Sequence, residues 1–139
     1  MSVLTSDPDL RDLLQNARVI AVVGHSDDPE RTSYQIAAYL RRAGYRVIPV
    51  NPTVSEIDGE TSYPSLSAVP EKIDIVNVFR RAEHLADVVA AAAAVGAGAV
   101  WGQLGVISAE AAAVAETVGM PLVMDRCIKT DHLRLLGQK

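Results

Sequence analysis

The sequence predicts an α/β domain built on a doubly wound, five-stranded parallel sheet with helices on both faces. Two observations predict it. Five short runs dominated by Val, Ile and Ala, at residues 19–23, 46–50, 73–78, 99–101 and 121–124, alternate with segments whose apolar residues recur at helical spacing. Strands separated by helices pair in parallel through right-handed crossovers, which distributes the helices over both sides of the sheet. The first run also ends in Gly24 and passes through a polar turn, His25 to Arg31, directly into an amphipathic helix.

Each element has its own signal. Asp7 reads as an N-cap with Pro8 in the first turn, and Leu10, Leu13 and Leu14 follow at helical spacing. After the polar turn, Ile36, Tyr39, Leu40 and Ala43 share one face of a second helix, which Gly44 ends. Pro49 suits the end of the second strand, where its missing N–H breaks no ladder bond. Loop signals dominate residues 53–72: Asp58-Gly59 is a turn pair, Tyr63-Pro64 enforces extension, and Pro70 stops a short piece holding Leu66 and Val69. The expectation there is a connection with one helical turn covering the sheet. Glu83 opens a helix with Leu85, Val88, Val89, Ala92 and Ala93 inward, closed by Gly96 and Gly98. Beyond the turn Gly102-Gln103-Leu104-Gly105, Ser108 caps a helix presenting Ala111, Val114, Ala115 and Val118, ended by Gly119. Residues 127–136 form a last turn or helix.

The 139 residues suffice for one core and are read as one domain, 1–139. An apolar fraction of 49% with 22% charged residues is that of a soluble globular chain, and the net charge of −4 opposes a domain that grips nucleic acid by its phosphates. The single cysteine, Cys127, forms no internal disulfide, and the first residues lack the regions of a secretion signal, so the expected location is cytoplasmic. No apolar run reaches the roughly 18 residues of a membrane span. The His and acidic residues show no metal-ligand spacing.

Ligands of such sheets bind at the carboxyl ends of the strands, where the strand order reverses beside the first strand. The candidate walls are therefore residues 24–33, 49–52, 78–81 and 101–105. A strand ending in Gly24 and feeding a helix offers backbone N–H groups and the positive end of the helix dipole to an anion. The bland alternative is an ordinary loop in which Gly24 only makes the turn. Around it stand the Ser26 and Ser33 hydroxyls, Arg31, and Arg80-Arg81 after the third strand. Guanidinium groups bind phosphate through paired hydrogen bonds, so the set suits a polyphosphate. A dinucleotide site needs three glycines and an acid after the second strand; this chain has Gly24 alone and Asn51-Pro52, which disfavours NAD and NADP.

The segments Gly24-His25-Ser26, 29–34, 44–52, 74–81, 100–106 and Asp125-Arg126-Cys127, in that order, resemble the small stand-alone CoA-binding domain family. That family is Rossmann-like and similar in fold to the CoA-binding domain of the succinyl-CoA synthetase alpha subunit and of ADP-forming acyl-CoA ligases. The resemblance implies a cofactor, coenzyme A or a short acyl-CoA. Its diphosphate would lie over Gly24, His25, Ser26, Arg31 and Ser33, and its adenosine end near Asn51, Pro52, Val78, Phe79 and Arg80. Gln103 and Gly105 would line the pantetheine side. Phe79 is read either as an adenine-stacking ring or as core. CoA carries more phosphate than NAD, so the exchange of the dinucleotide acid for Arg is chemically sensible.

The ADP-forming ligases work through a phosphorylated histidine on a further domain and an ATP-grasp partner, for which 139 residues leave no room. His25, His84 and His132 show no evident general-base arrangement. The reading is thus a CoA or short acyl-CoA binding protein, non-catalytic by itself. The alternatives are an accessory subunit of an acyl-CoA ligase completed by a protein partner, and a dinucleotide-binding domain. Cys127, beside Arg126, is either a thiol of lowered pKa open to mixed disulfides or a buried inert one.

Overall fold

In the computed structural model, which describes residues 2–137, the chain runs through α1 (Asp7–Asn16), β1 (Val19–Val23), α2 (Thr32–Arg42), β2 (Arg46–Val50) and two short strands, β3 (Glu56–Ile57) and β4 (Glu60–Thr61). It continues with β5 (Ile75–Val78), α3 (Leu85–Ala94), β6 (Ala99–Gly102), α4 (Ala109–Val118), β7 (Leu122–Val123) and α5 (Ile128–Leu136). The main sheet has the order β2-β1-β5-β6-β7 and every pairing in it is parallel. The strand order reverses at β1, as the sequence predicts for a doubly wound sheet.

The strands are buried on both faces, which is why they read as continuous apolar runs rather than alternating ones. Ala21, Val23, Val76, Val78 and Val100 pack with α3 and α4 on one side. Ile20, Val22, Ile75, Trp101 and Val123 pack with α1, α2 and α5 on the other. Both sheet edges are covered. Beside β2, Tyr63 donates its N–H to the Pro49 carbonyl at 3.1 Å and accepts from Asn51 N–H at 2.9 Å. Beside β7, the Leu122 carbonyl accepts from Leu4 N–H at 2.8 Å.

Several local features differ from expectation, each for a physical reason. The α1 N-cap is Ser6, whose Oγ accepts from Asp9 N–H at 3.3 Å; Asp7 sits one residue further in and pairs with Arg134 at 2.8 Å. On α2 the buried face is Ser33, Ile36, Ala37 and Leu40, while Ala43 is the exposed C-cap. Val118 is 45% exposed, because α4 buries only Ala111 and Ala115 against the sheet side. A three-residue 3-10 turn, Ala82–His84, takes up Glu83, and α3 starts after it. The long connection holds the expected helical turn, Leu66–Ala68, with Leu66 buried in the α3 side of the core. It also holds a hairpin: Asp58 (φ 51°) and Gly59 (φ 84°) are both left-handed and join β3 to β4, the backbone of a tight two-residue turn. Among the described residues no helix is long and apolar enough to cross a membrane.

Candidate functional site

The carboxyl end of β1 is drawn tightly against that of β5. Gly24 N–H donates to the Val50 carbonyl at 2.9 Å and Phe79 N–H to the Val23 carbonyl at 2.8 Å. Gly24 has a φ of +88°, and a Cβ placed on it would lie 2.7 Å from the Phe79 carbonyl oxygen. Only glycine meets both the left-handed backbone and the close approach.

The turn beyond Gly24 is held by its own polar groups. Ser26 N–H donates to Ser33 Oγ at 2.9 Å, Ser26 Oγ accepts from Asp28 N–H at 3.0 Å, and Asp28 Oδ1 accepts from Glu30 N–H at 3.0 Å. The two serine oxygens thus accept bonds within the turn; Ser26 is half-buried there and Ser33 is buried. Arg31, exposed, is the N-cap residue of α2, and among the described residues no side chain caps that helix. Its first-turn N–H groups and dipole therefore face outward at the turn.

His25 lies behind the turn, 0% exposed. Its Nδ1 is 2.8 Å from the Ser26 carbonyl oxygen, which can only accept, so Nδ1 carries the proton and Nε2 accepts from Arg41 Nη2 at 3.4 Å. Burial lowers its pKa below the ordinary imidazole value; the Ser26 carbonyl works against that shift and the Arg41 charge adds to it. The ring is a neutral internal post rather than a group in the cleft.

A cavity of about 430 Å³ opens beside Gly24 on the α3 side of the sheet. Val23, Val50, Leu66, Val88 and Ala91 give it an apolar floor, with Pro52 and Pro64 alongside. Asn51, Thr53, Ser65, Arg80, His84 and Asp87 supply its polar groups. Four of the residues singled out from sequence therefore meet on one cavity: Gly24, Asn51, Pro52 and Arg80. Asn51 joins the two strand ends, and Arg80, exposed, takes part in no ion pair among the described residues. The contributions of α3 and of the segment around Ser65 were missed, since they depend on how distant segments dock; the one sequence signal for them is the spacing of His84, Asp87, Val88 and Ala91 along one helix stripe.

The remaining positions lie elsewhere. Ser26, Arg31 and Ser33 stand at the α2 turn outside the cavity lining. Val78 is fully buried in the core, and Phe79 is half-buried against the α2 and α5 side. Gln103 is 5% exposed, its Oε1 accepting from Asn77 Nδ2 at 3.1 Å and from Ile128 N–H at 3.0 Å, so it ties β5 and β6 to α5. Gly105 is exposed and its N–H donates to Asp125 Oδ1 at 2.7 Å. Asn77 Oδ1 is a buried oxygen with no hydrogen-bond partner among the described residues.

Cys127 is the half-buried N-cap of α5. Burial pushes its thiol up, but hydrogen bonds from the Thr130 side chain and N–H, the Gln103 amide and the Lys129 N–H together outweigh it and bring the thiol below its ordinary value. Arg126 is not the cause: its guanidinium is held by Asp131, Nε to Oδ2 at 2.6 Å.

Comparison with known proteins identifies the family and agrees with the fold. A family model described as a CoA binding domain matches residues 18–133. The Bacillus subtilis protein YneT is 41% identical over 127 residues, covering 91% of this chain and 94% of that protein. A solved structure described as a hypothetical protein from Pyrococcus horikoshii superimposes with a TM-score of 0.92 at 38% identity, covering 96% of this chain and 94% of that one. The alpha subunit of the ADP-forming acetate–CoA ligase II of Pyrococcus furiosus is 35% identical over 65 residues, which is 46% of this chain but only 14% of that protein.

Proposed function

The chain belongs to the CoA-binding domain family, and from that premise we propose that it binds coenzyme A or a short acyl-CoA across the carboxyl ends of its strands, without catalysing a reaction by itself. The observation that carries this reading is the cavity beside Gly24, apolar at its floor and bordered by Arg80, which forms no ion pair among the described residues. The residues fit the group. An adenine ring is apolar on its faces and suits the slot between Pro52, Pro64, Val88 and Ala91. A diphosphate suits the α2 turn, where helix N–H groups, the half-buried Ser26 hydroxyl and Arg31 offer donors, with Ser33 holding the turn from beneath. The pantetheine arm would then run over β5 and β6 toward Gly105 and the Gln103 turn. His25, Val78 and Phe79 support this surface from within.

Isothermal titration of the protein with CoA, with NAD as comparator at the same ionic strength, tests the reading. Binding of CoA and not NAD is expected, and Arg31→Ala or Arg80→Ala should each weaken it about tenfold, the loss of one charge-assisted phosphate contact. Absence of heat from CoA would sink it.

The match to part of a ligase subunit supports a second reading, an accessory subunit completed by a protein partner. ATP-dependent acyl-CoA formation on addition of an ATP-grasp protein would favour it, and unchanged rates would remove it.

A further inference from the structure

The β3–β4 hairpin packs beside β2, and both of its ends also bear on one residue of the turn after β1. At its root, Ser62, buried, donates from Oγ to the Asn51 carbonyl at 3.1 Å, and the Asn51 side chain in turn donates to the His25 carbonyl at 2.8 Å. At its tip, the Asp58 carboxylate accepts from the Tyr34 hydroxyl, and the Tyr34 ring meets the His25 ring edge-on, with centroids 6.0 Å apart. The contacts close a circuit that leaves His25 through Asn51 and Ser62, runs along the hairpin, and returns through Asp58 and Tyr34. Ser33, which precedes Tyr34 in the first turn of α2, accepts from Ser26 N–H at 2.9 Å, so the start of α2 is tied into the same circuit.

Little in the hairpin's own make-up holds it there. Each of its strands has two residues, and a pair that short is not stable alone. Between Glu56 and Thr61 its one buried apolar side chain is Ile57, which belongs to neither of the two cores that flank the sheet. Glu60 pairs with Arg46 at 3.3 Å, but both side chains are about half exposed, where an ion pair adds little. The position of the hairpin therefore depends on the circuit, and a segment held in this way opens locally while the strands of the main sheet stay shut.

We infer that the β3–β4 hairpin is a strap buckled by Asp58 onto Tyr34, and that ordering of the hairpin and binding of an anion at the α2 turn are coupled through that buckle. The inference rests on the reading of the α2 turn as the diphosphate subsite and adds a means of regulating it. A ligand that orders the start of α2 orders Tyr34, and Tyr34 orders Asp58. By linkage, a hairpin held shut must favour the ligand by the same factor. Tyr34 and Asp58 are positioning residues in this scheme: they act through His25 and the first turn of α2 without touching the ligand.

The test is hydrogen exchange on the full chain, free and with CoA, in the wild-type protein and in the Tyr34→Phe and Asp58→Asn variants, with calorimetric titration of CoA alongside. Tyr34→Phe keeps the ring against His25 and removes only the hydroxyl, while Asp58→Asn keeps a residue that tolerates the left-handed turn and a weaker, neutral acceptor. In the free protein, Tyr34→Phe should speed exchange in both 56–61 and 26–30 by about threefold or more, leave β1 and β5 unchanged, and weaken CoA about threefold, as the loss of one exposed bond allows. Asp58→Asn should give a smaller change in the same two segments. CoA should slow exchange in the wild-type hairpin, and that protection should vanish in Tyr34→Phe while the turn itself stays protected. Protection of the turn without the hairpin in the wild-type protein overturns the inference, as does a Tyr34→Phe variant in which the hairpin alone exchanges faster. Faster exchange in β1 and β5 as well, in both variants, marks a loss of global stability and also overturns it. If CoA does not bind, the diphosphate reading fails, and the free protein decides the strap separately: joint speeding of the two segments in Tyr34→Phe upholds it, and speeding of the hairpin alone overturns it.

Discussion

Asn51 Nδ2 donates to the His25 carbonyl oxygen at 2.8 Å, while Asn51 Oδ1 accepts from Thr53 N–H at 2.9 Å and Thr53 Oγ1 at 2.7 Å. One amide thus fastens the end of β2 to the turn after β1 and shapes the cavity wall between them. The position needs a donor and an acceptor on the same planar group, which an acid cannot supply. Asn51→Asp, the residue type that dinucleotide sites use here, would put a carboxylate against the His25 carbonyl. It should lower unfolding stability by about 1–3 kcal/mol, the penalty for an unmet, part-buried bond, and, on the proposed CoA reading, weaken CoA at least about tenfold. Urea denaturation and calorimetry check it; a variant with unchanged stability and affinity would contradict the role given to Asn51.

Gly24→Ala separates backbone fit from chemistry. The added methyl removes no hydrogen bond, yet it enters a left-handed backbone and lies 2.7 Å from the Phe79 carbonyl oxygen, a backbone atom that cannot move without disturbing β5. Left-handed strain alone is about 1–2 kcal/mol, and the contact adds to it. The expected loss is about 2–4 kcal/mol of unfolding free energy. Gly59→Ala is the control, since its φ is also positive but nothing lies within 4 Å of its Cβ. Equal effects of the two substitutions would show that the close approach to Phe79 is not limiting.

The strands and the point of strand reversal were legible because they follow from local pattern: apolar runs of strand length and helical spacing between them. The meeting of Gly24, Asn51, Pro52 and Arg80 was legible for a related reason, since each follows or ends a strand that neighbours β1 or is β1 itself. Ser65, His84 and Asp87 were not, because their convergence is set by the docking of α3 against a connection distant in sequence. His25 illustrates a second limit. A polar residue after Gly24 reads as part of a ligand turn, and only the packing reveals that its ring points inward to the Ser26 carbonyl and Arg41. Gln103 is similar: a polar residue in a Gly-flanked turn, it is committed to bonds inside the protein.

Cys127 should react in the native protein. It is half-buried, so a small alkylating reagent reaches it, and its lowered pKa enriches the thiolate at neutral pH. Thr130→Val deletes the hydroxyl that bonds the thiol, and the rate at pH 7 should then fall by about threefold or more, with the rate-versus-pH midpoint moving upward. No reaction with iodoacetamide in the folded state would identify Cys127 as inert.

The buried imidazole of His25 makes stability depend on pH in one direction. Burial holds its folded pKa below the ordinary value of 6.5, so the unfolded chain takes up a proton at higher pH than the folded one. Where the unfolded state binds more protons, unfolding free energy rises with pH. Stability is therefore constant with respect to this group above pH 7.5 and falls as pH drops through 6.5 toward the lower folded value. His132, lowered by burial and bonded through Nδ1 to the Tyr39 hydroxyl at 2.6 Å, acts in the same sense. Each histidine contributes a slope of up to about 1.4 kcal/mol per pH unit in that window. Carboxylates held low by Arg partners, such as Glu71 beside Arg46, add their own loss only in more acid solution. Denaturation curves between pH 7.5 and 5 should show the decline, and His25→Asn, which keeps a donor near the Ser26 carbonyl, should flatten it even if it lowers stability at pH 7.5. An unaltered slope in that variant would mean that His25 takes up its proton in the folded protein as readily as in the unfolded chain, and the assignment of a neutral internal ring would fail.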